Sequence, residues 1–355
     1  MKSALREISG CKAPDPEGHR PSFTKRRKPL SREEYVEGIL HGDRNVLARA
    51  VTLIESGRDA DRALAEQIVE DCLPYSGNST RVGITGVPGA GKSSLIEALG
   101  GFLIAEHKQK VAVLAIDPSS QISGGSILGD KTRMTTLAAS EMAFVRPSPS
   151  RGMAGGVAQR TREAMLLCEA AGYRNILVET IGVGQSETAV HEMVDFFLLI
   201  TLAGAGDELQ GIKRGVMELA DLVAVNKADG ANVAAAERAR AEAQNALHFF
   251  PAAESGWTPR AVTCSALTGA GIRMLWGCVL EYVGLTRANG WFAKARREQQ
   301  RRWMHEMIGQ ALRQRFYAHS AVRSRVQALE RAVTEGRTTS FRAARVLLDA
   351  YRCGS

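Results

Sequence analysis

The 355 residues are 45% hydrophobic, enough to bury a sizeable core, and contain no uninterrupted apolar run of about 18 residues, so a soluble protein without a membrane span or secretory leader is expected. The net charge of +8 is uneven. Residues 1–30 hold eight Lys/Arg against three acids and residues 291–355 fourteen against five, so the middle is mildly acidic, and basic ends without an aromatic platform argue against nucleic-acid binding. Six dispersed cysteines (Cys11, Cys72, Cys168, Cys264, Cys278, Cys353) form no C-x-x-C pair, which excludes a disulfide framework or zinc cage and suits reduced thiols.

In chain order, residues 1–30 mix Pro, Gly and charge, including Lys25-Arg26-Arg27-Lys28, and are expected to be a disordered basic arm. Its acids Glu7, Asp15 and Glu17 are atypical of a mitochondrial leader. Residues 31–77 show apolar residues at helical spacing (Tyr35, Ile39, Leu40, Val46, Leu47, Val51, Ile54, Leu64, Ile68), opened by a capping-box-like Ser31 and Glu34. From 78 to 288 the pattern becomes short β-branched runs alternating with helices: Val82–Thr85, Val111–Ile116, Ile176–Glu179, Phe196–Ile200, Leu222–Val225 and Ala261–Cys264. Such runs suit strands buried on both faces, and an α/β fold, a three-layer domain around a mostly parallel sheet, is expected. Residues 289–355 return to helix, with one stripe from Trp303, Met304, Met307, Ile308, Ala311, Leu312 and Phe316.

Directly after the first strand comes Gly86-Val87-Pro88-Gly89-Ala90-Gly91-Lys92-Ser93-Ser94, the G-x-x-x-x-G-K-S pattern, followed by helical Leu95–Leu99. Its glycines let backbone N–H groups surround a β-phosphate at a helix N-terminus, Lys92 reaches the β/γ oxygens and Ser93 offers its hydroxyl to Mg²⁺. After a later strand, Asn226-Lys227-Ala228-Asp229 supplies a carboxylate that accepts from guanine N1–H and N2–H₂, donors that adenine lacks, so GTP is expected over ATP. The Lys227 stem covers the purine face, and Ser265-Ala266-Leu267, beyond the next strand, suits a loop presenting backbone N–H to guanine O6.

Asp117 and Glu179 end two strands and are placed to reach the metal, one of them alternatively serving as a structural or capping group. Three glycine-rich loops are candidate switches: 123–132 with Asp130 as a further metal contact, 182–187, and 203–215 with Lys213 or Arg214 as a source of transition-state charge. An ordinary surface loop is the alternative for 123–132, and a solvated loop with an interface role for 203–215. Val183 stands where some GTPases carry a water-orienting Gln, so slow intrinsic hydrolysis is expected.

The long motifs are more specific. D-P-S-S at 117–120, G-G-S-I-L-G-D-K-T-R-M at 124–134, R-P-S-P-S at 146–150, V-E-T-I-G-V-G-Q-S-E-T-A-V at 178–190 and G-A-G-D-E-L-Q-G-I-K-R-G at 204–215 closely resemble the MeaB/ArgK (MMAA-type) family over roughly residues 35–320. That resemblance implies a P-loop GTPase of the signal-recognition/MinD-like class, a homodimer formed largely through C-terminal helices, and a chaperone. Its expected partner is adenosylcobalamin-dependent methylmalonyl-CoA mutase, whose cofactor loading it gates and which it protects or reactivates. It further implies that Ser93, Asp117, Asp130 and Glu179 surround Mg²⁺, with Gln185 and Lys213 in switch loops that respond to the mutase. The expected compartment is the bacterial cytoplasm, or the mitochondrial matrix in a eukaryote.

Two other functions compete with this one. A metal-insertion GTPase shares the fold but usually carries His-rich tracts, whereas the seven histidines here are dispersed. A transport-associated kinase would transfer phosphate to a protein acceptor, for which the guanine motif gives no support.

Overall fold

The computed structural model describes residues 30–116, 134–147, 154–180, 186–204 and 214–352. Seven strands form one sheet: β1 (Thr80–Gly86), β2 (Val111–Ile116), β3 (Ala143–Pro147), β4 (Asn175–Thr180), β5 (Phe196–Leu202), β6 (Leu222–Asn226) and β7 (Arg260–Thr263). Their order is β3-β2-β4-β1-β5-β6-β7 and every pair is parallel. Every residue of β2 and β4 is buried, both alternations alike, which requires cover on both faces and explains why these runs lack a polar side. The three-layer α/β expectation therefore holds, and all six strands anticipated from the sequence are present.

The seventh strand, β3, was not anticipated. It lies at the sheet edge and pairs only with β2, with Val111 opposite Ala143. Only Ala143 and Phe144 of its first four residues are fully buried, so it lacks the continuous apolar run that marked the others.

Three helices precede the sheet: α1 (Arg32–Leu40), α2 (Arg44–Glu55) and α3 (Asp59–Cys72). Asp43 caps α2 by accepting from the backbone N–H of Asn45 at 2.7 Å and Val46 at 3.2 Å. Ile39, Leu47, Val51, Ile54 and Ile68 turn inward, and α2 and α3 pack on the helix that precedes β4, α6 (Ala154–Ala170). Between β1 and β2 runs α4 (Lys92–His107), and α5 (Thr135–Ala139) leads into β3. Short α7 (Ser186–His191) and α8 (Arg214–Glu218) precede β5 and β6, while α9 (Val233–Leu247) and α10 (Ile272–Ala288) flank β7 in sequence. Leu95, Ile96 and Leu99 of α4 and Leu275, Trp276 and Val279 of α10 meet Val82, Ile84, Phe196 and Leu198 in the main core.

Beyond Gly290 the 28-residue helix α11 (Trp291–Ala318) extends for about 42 Å at 1.5 Å per residue, followed by α12 (Ser320–Arg323), α13 (Val326–Thr334) and α14 (Ser340–Arg352). Its first half is fastened to the N-terminal edge of the sheet. Arg296 pairs with Asp195 through two nitrogens, at 2.7 and 2.8 Å, and also donates to the Gly77 and Ser79 carbonyls. Asp195 in turn accepts from the Arg81 backbone N–H, and the Arg81 side chain makes a two-point pair with buried Glu169. Those partners explain why the Glu169 carboxyl stays below its ordinary value although burial pushes it the other way. Two to three turns on, Arg162 of α6 pairs with Glu306 at 2.5 Å and covers the Trp303 ring. Around and beyond this contact the helix carries an open face: Met304, Met307, Ile308 and Leu312 are all about half exposed.

No helix among the described residues is long and apolar enough to cross a membrane. Cys72, Cys168, Cys264 and Cys278 are buried free thiols, and burial pushes Cys72 up to about 11 and Cys264 up to about 12, which keeps them protonated and inert.

Candidate functional site

The candidate site forms where β1, β4 and β6 end, on the C-terminal edge of the sheet. Strand β1 delivers Gly86 alongside Ile200 of β5, so closely that a Cβ at Gly86 would lie 2.2 Å from the Ile200 carbonyl oxygen. Only glycine fits. The chain then turns through Val87–Gly91, with the Ala90 N–H on the Val87 carbonyl, and enters α4 from Gly91 at φ +86°. Pro88 and Gly89 crown the loop and are exposed, while Val87 and Ala90 anchor it in the core. The Lys92 ammonium lies within the loop, donating to the Gly86 carbonyl at 2.8 Å and the Val87 carbonyl at 3.3 Å. Glycine-rich backbone, a lysine and a helix N-terminus together make an anion cradle.

Beside it, the Ser93 hydroxyl donates to Glu179 Oε1 at 2.9 Å. Glu179 is 2% exposed at the end of β4, a depth at which a carboxylate needs charge partners. A hydroxyl and a carboxylate side by side at the mouth of a phosphate loop are hard oxygen donors of the kind Mg²⁺ takes, so these residues fit the metal. Among the described residues no three His, Cys, Asp or Glu gather as a metal cage. The next residue, Thr180, donates its hydroxyl to that of Thr85 at 2.9 Å, joining the ends of β4 and β1; both are fully buried, and nothing in the sequence signals that they pair.

Strand β6 ends at Asn226, which is 1% exposed and ties three segments together. Its Nδ2 donates to the Ala90 carbonyl of the phosphate loop at 2.8 Å, while its Oδ1 accepts from the Ala266 N–H at 3.1 Å and from the Cys264 thiol. Lys227 follows at φ +60°, a left-handed conformation that costs a non-glycine residue on the order of 1 kcal/mol and leaves its side chain exposed. Asp229 accepts from the Ser265 hydroxyl at 2.5 Å, and the Ala228 N–H reaches the Cys264 carbonyl at 3.0 Å. Ser265 Oγ also accepts from the Thr268 N–H, which shapes the turn that leaves Leu267 86% exposed. The Ser265–Leu267 turn is thus stapled to the N-K-x-D segment, with the Ala266 N–H committed to Asn226.

The structure therefore brings together Gly86, Val87, Pro88, Gly89, Ala90, Gly91, Lys92, Ser93, Ser94 and Glu179, and joins Asn226, Lys227, Asp229, Ser265, Ala266 and Leu267 to them through Asn226. Asp117, Asp130, Gln185 and Lys213 lie outside the described residues, as do Val183 and most of the three glycine-rich loops.

Comparison with known proteins agrees with this geometry. Residues 47–321 match the family model described as methylmalonyl Co-A mutase-associated GTPase MeaB. A putative GTPase of Caulobacter vibrioides is 51% identical over 88% of this chain and 95% of its own length. GTPase ArgK of Escherichia coli is 47% identical over 81% of this chain and 86% of its own. The mitochondrial methylmalonic aciduria type A homolog of Mus musculus is 42% identical over 89% and 78%, respectively. Among solved structures, a LAO/AO transport system kinase superposes with a TM-score of 0.72 at 38% identity, covering 90% of this chain and 96% of that one. The chain belongs to the MeaB family of methylmalonyl-CoA mutase-associated P-loop GTPases.

Proposed function

We propose that this protein binds GTP with Mg²⁺, hydrolyses it slowly alone and faster against its partner, and uses the nucleotide state to gate cofactor loading into an adenosylcobalamin-dependent methylmalonyl-CoA mutase, or a close relative, and to protect or reactivate that enzyme. The observation that carries this reading is the Asn226 staple, which holds the phosphate loop and the Asp229 carboxylate in one rigid unit. The two halves of a guanine nucleotide are thereby read at a fixed spacing.

In this reading the backbone N–H groups of 86–91 and the Lys92 ammonium hold the β- and γ-phosphates, and Asp229 accepts from the guanine edge while the Lys227 stem lies along the ring. Ser93 and Glu179, with Asp117 and Asp130, would hold Mg²⁺, which supplies charge neutralisation at the phosphates when bound. Gln185 and Lys213 respond to the mutase. Hydrolysis is slow alone because Val183 has no group to orient water.

The protein works as a homodimer joined through the C-terminal helices. Support comes from Met304, Met307, Ile308 and Leu312, at i, i+3, i+4 and i+8 on α11, about half exposed on a helix whose start is anchored by Arg296. Residues 1–30 remain the basic arm, with 31–77, 78–288 and 289–355 as helical preface, GTPase domain and dimerisation arm.

The test is complex formation with the mutase, followed by size-exclusion chromatography with light scattering, in GDP, in a non-hydrolysable GTP analogue and without nucleotide. A complex whose stability changes with nucleotide supports the reading. Failure to associate in every state refutes the chaperone role.

A further inference from the structure

The edge of the sheet opposite the phosphate loop carries a second cleft. Strands β5 and β6 begin there, and together with the start of α11 and the segment around Phe250–Ser255 they enclose about 590 Å³, within the size range of small-molecule pockets. Much of the wall is apolar, including Phe196, Phe250 and Trp291. Two polar groups on it are unusual.

The first is Gln299 of α11, only 5% exposed. Its Nε2 donates to the Val194 carbonyl at 2.7 Å, which fixes the orientation of the amide, and its Oε1 is left buried without a hydrogen-bond partner. Buried acceptors are nearly always satisfied in folded proteins, so this one invites a donor.

The second is Asp221, at the entrance to β6. One carboxylate oxygen accepts from the Phe197 N–H at 2.8 Å, and its backbone carbonyl accepts from the Trp257 indole at 2.9 Å. Part of its surface opens to the cleft, yet the surrounding protein is dense enough that burial pushes the carboxyl up to about 7.

Charge on the wall favours a cationic guest. Asp195, Glu218, Asp221 and Glu254 face Arg302 and His191. Asp195 is committed to Arg296, and burial, with Arg302 adding to it, holds the His191 ring low and so neutral. Glu254 has only a loose contact with Lys294, at 3.8 Å. Acceptors therefore outnumber donors around an aromatic hollow.

We infer that this cleft is a binding site for a small organic ammonium compound with an aromatic or other apolar body, whose N–H groups are accepted by Gln299 Oε1 and the Asp221 carboxylate while its body lies against Trp291 and Phe250. The site is separate from the nucleotide, since Asp221 stands just before β6 and Asn226 closes it, about 17 Å apart at 3.3 Å per residue. Both ligands can be held at once.

The experiment uses the full-length protein saturated with GDP and Mg²⁺ and labelled with fluorotryptophan, whose four signals report Trp257, Trp276, Trp291 and Trp303. Phenethylamine is titrated beside two shape-matched probes, 2-phenylethanol and phenylacetate. Phenethylamine is expected to move the Trp291 signal saturably in the millimolar range, with the alcohol and the acid weaker by about tenfold, the worth of a charge-assisted hydrogen bond. Gln299→Leu and Asp221→Asn should each weaken phenethylamine by a similar factor. Equal binding of all three probes would make the cleft a non-selective apolar hollow. Absence of any saturable shift would make it a water-filled surface feature. Either result overturns the proposal, as does unchanged affinity in two folded variants; should a variant not fold, the ranking of the probes on the unaltered protein decides.

Discussion

Asn226→Ala is the substitution that most directly probes how the site is assembled. It deletes the amide that donates to the Ala90 carbonyl at 2.8 Å and accepts from the Ala266 N–H at 3.1 Å, in a position 1% exposed. Leaving a buried backbone group unmet costs about 1–3 kcal/mol, and two are exposed here. Water entering the vacated space recovers part of that, so a net loss of about 3 kcal/mol is expected, or about a hundredfold in GDP affinity when the loss falls on the nucleotide-competent arrangement. Titration with a fluorescent GDP analogue measures it, with a thermal melt of the free protein to separate lost folding from lost binding. The sheet below keeps its core, because Asn226 contacts loops rather than the β1–β5 interior. GDP affinity within threefold of the parent protein would show that the staple does not set the spacing between phosphate loop and base reader.

Three further expectations follow from the same geometry. Gly86→Ala places a methyl group 2.2 Å from the Ile200 carbonyl, so the loop must shift; GTP binding in a filter or fluorescence assay should fall below detection at micromolar protein, and near-normal binding would contradict the close approach. Asp221 binds a proton in the folded protein between its ordinary 3.8 and about 7 that the unfolded chain has released, so its contribution to stability is fully present below about 4 and lost as the pH rises through 7. Asp221→Asn should accordingly stabilise the protein at pH 8 by about 1–2 kcal/mol, discounted for partial exposure, and have little effect at pH 4, as read from denaturant midpoints. Replacing Met307 and Ile308 by lysine should give a monomer in light scattering with GTP binding unchanged; a surviving dimer would place the interface elsewhere.

What could be seen in the sequence divides along physical lines. The phosphate loop and N-K-x-D were legible because each chemistry tolerates few residue types at fixed spacing: Gly86 admits no Cβ, and in the proposed function only a carboxylate at Asp229 accepts from both guanine donors. The inner strands were legible because burial on both faces demands continuous apolar runs. Edge strand β3 lacks that demand, since Val145 and Arg146 are only half-buried, and its signal was lost. Strand ends also shifted by a residue or two, as in β7, which starts at Arg260 rather than Ala261 and ends at Thr263.

The contacts that hold the site in place left no local trace. Asn226 reaches a residue 136 positions away, Thr180 one 95 away, and Arg296 fastens α11 to Asp195 across 101 positions. Such pairs are made by topology, and a single sequence shows only two polar residues. The α11 stripe was visible as a period, but a period does not say whether the apolar face packs on its own domain; Trp303 does, under Arg162, while Met304 and Leu312 stay about half exposed.

The central claim is that the site joining Lys92, Ser93 and Glu179 to Asp229 is a GTPase answerable to a mutase. The most direct measurement is release of inorganic phosphate from GTP and from ATP by the purified protein, alone and with methylmalonyl-CoA mutase from the same source. The account predicts slow turnover of GTP, below about 1 s⁻¹, a clear acceleration by the mutase, and little turnover of ATP. Equal use of ATP, or label passing to a protein acceptor in place of inorganic phosphate, would contradict it.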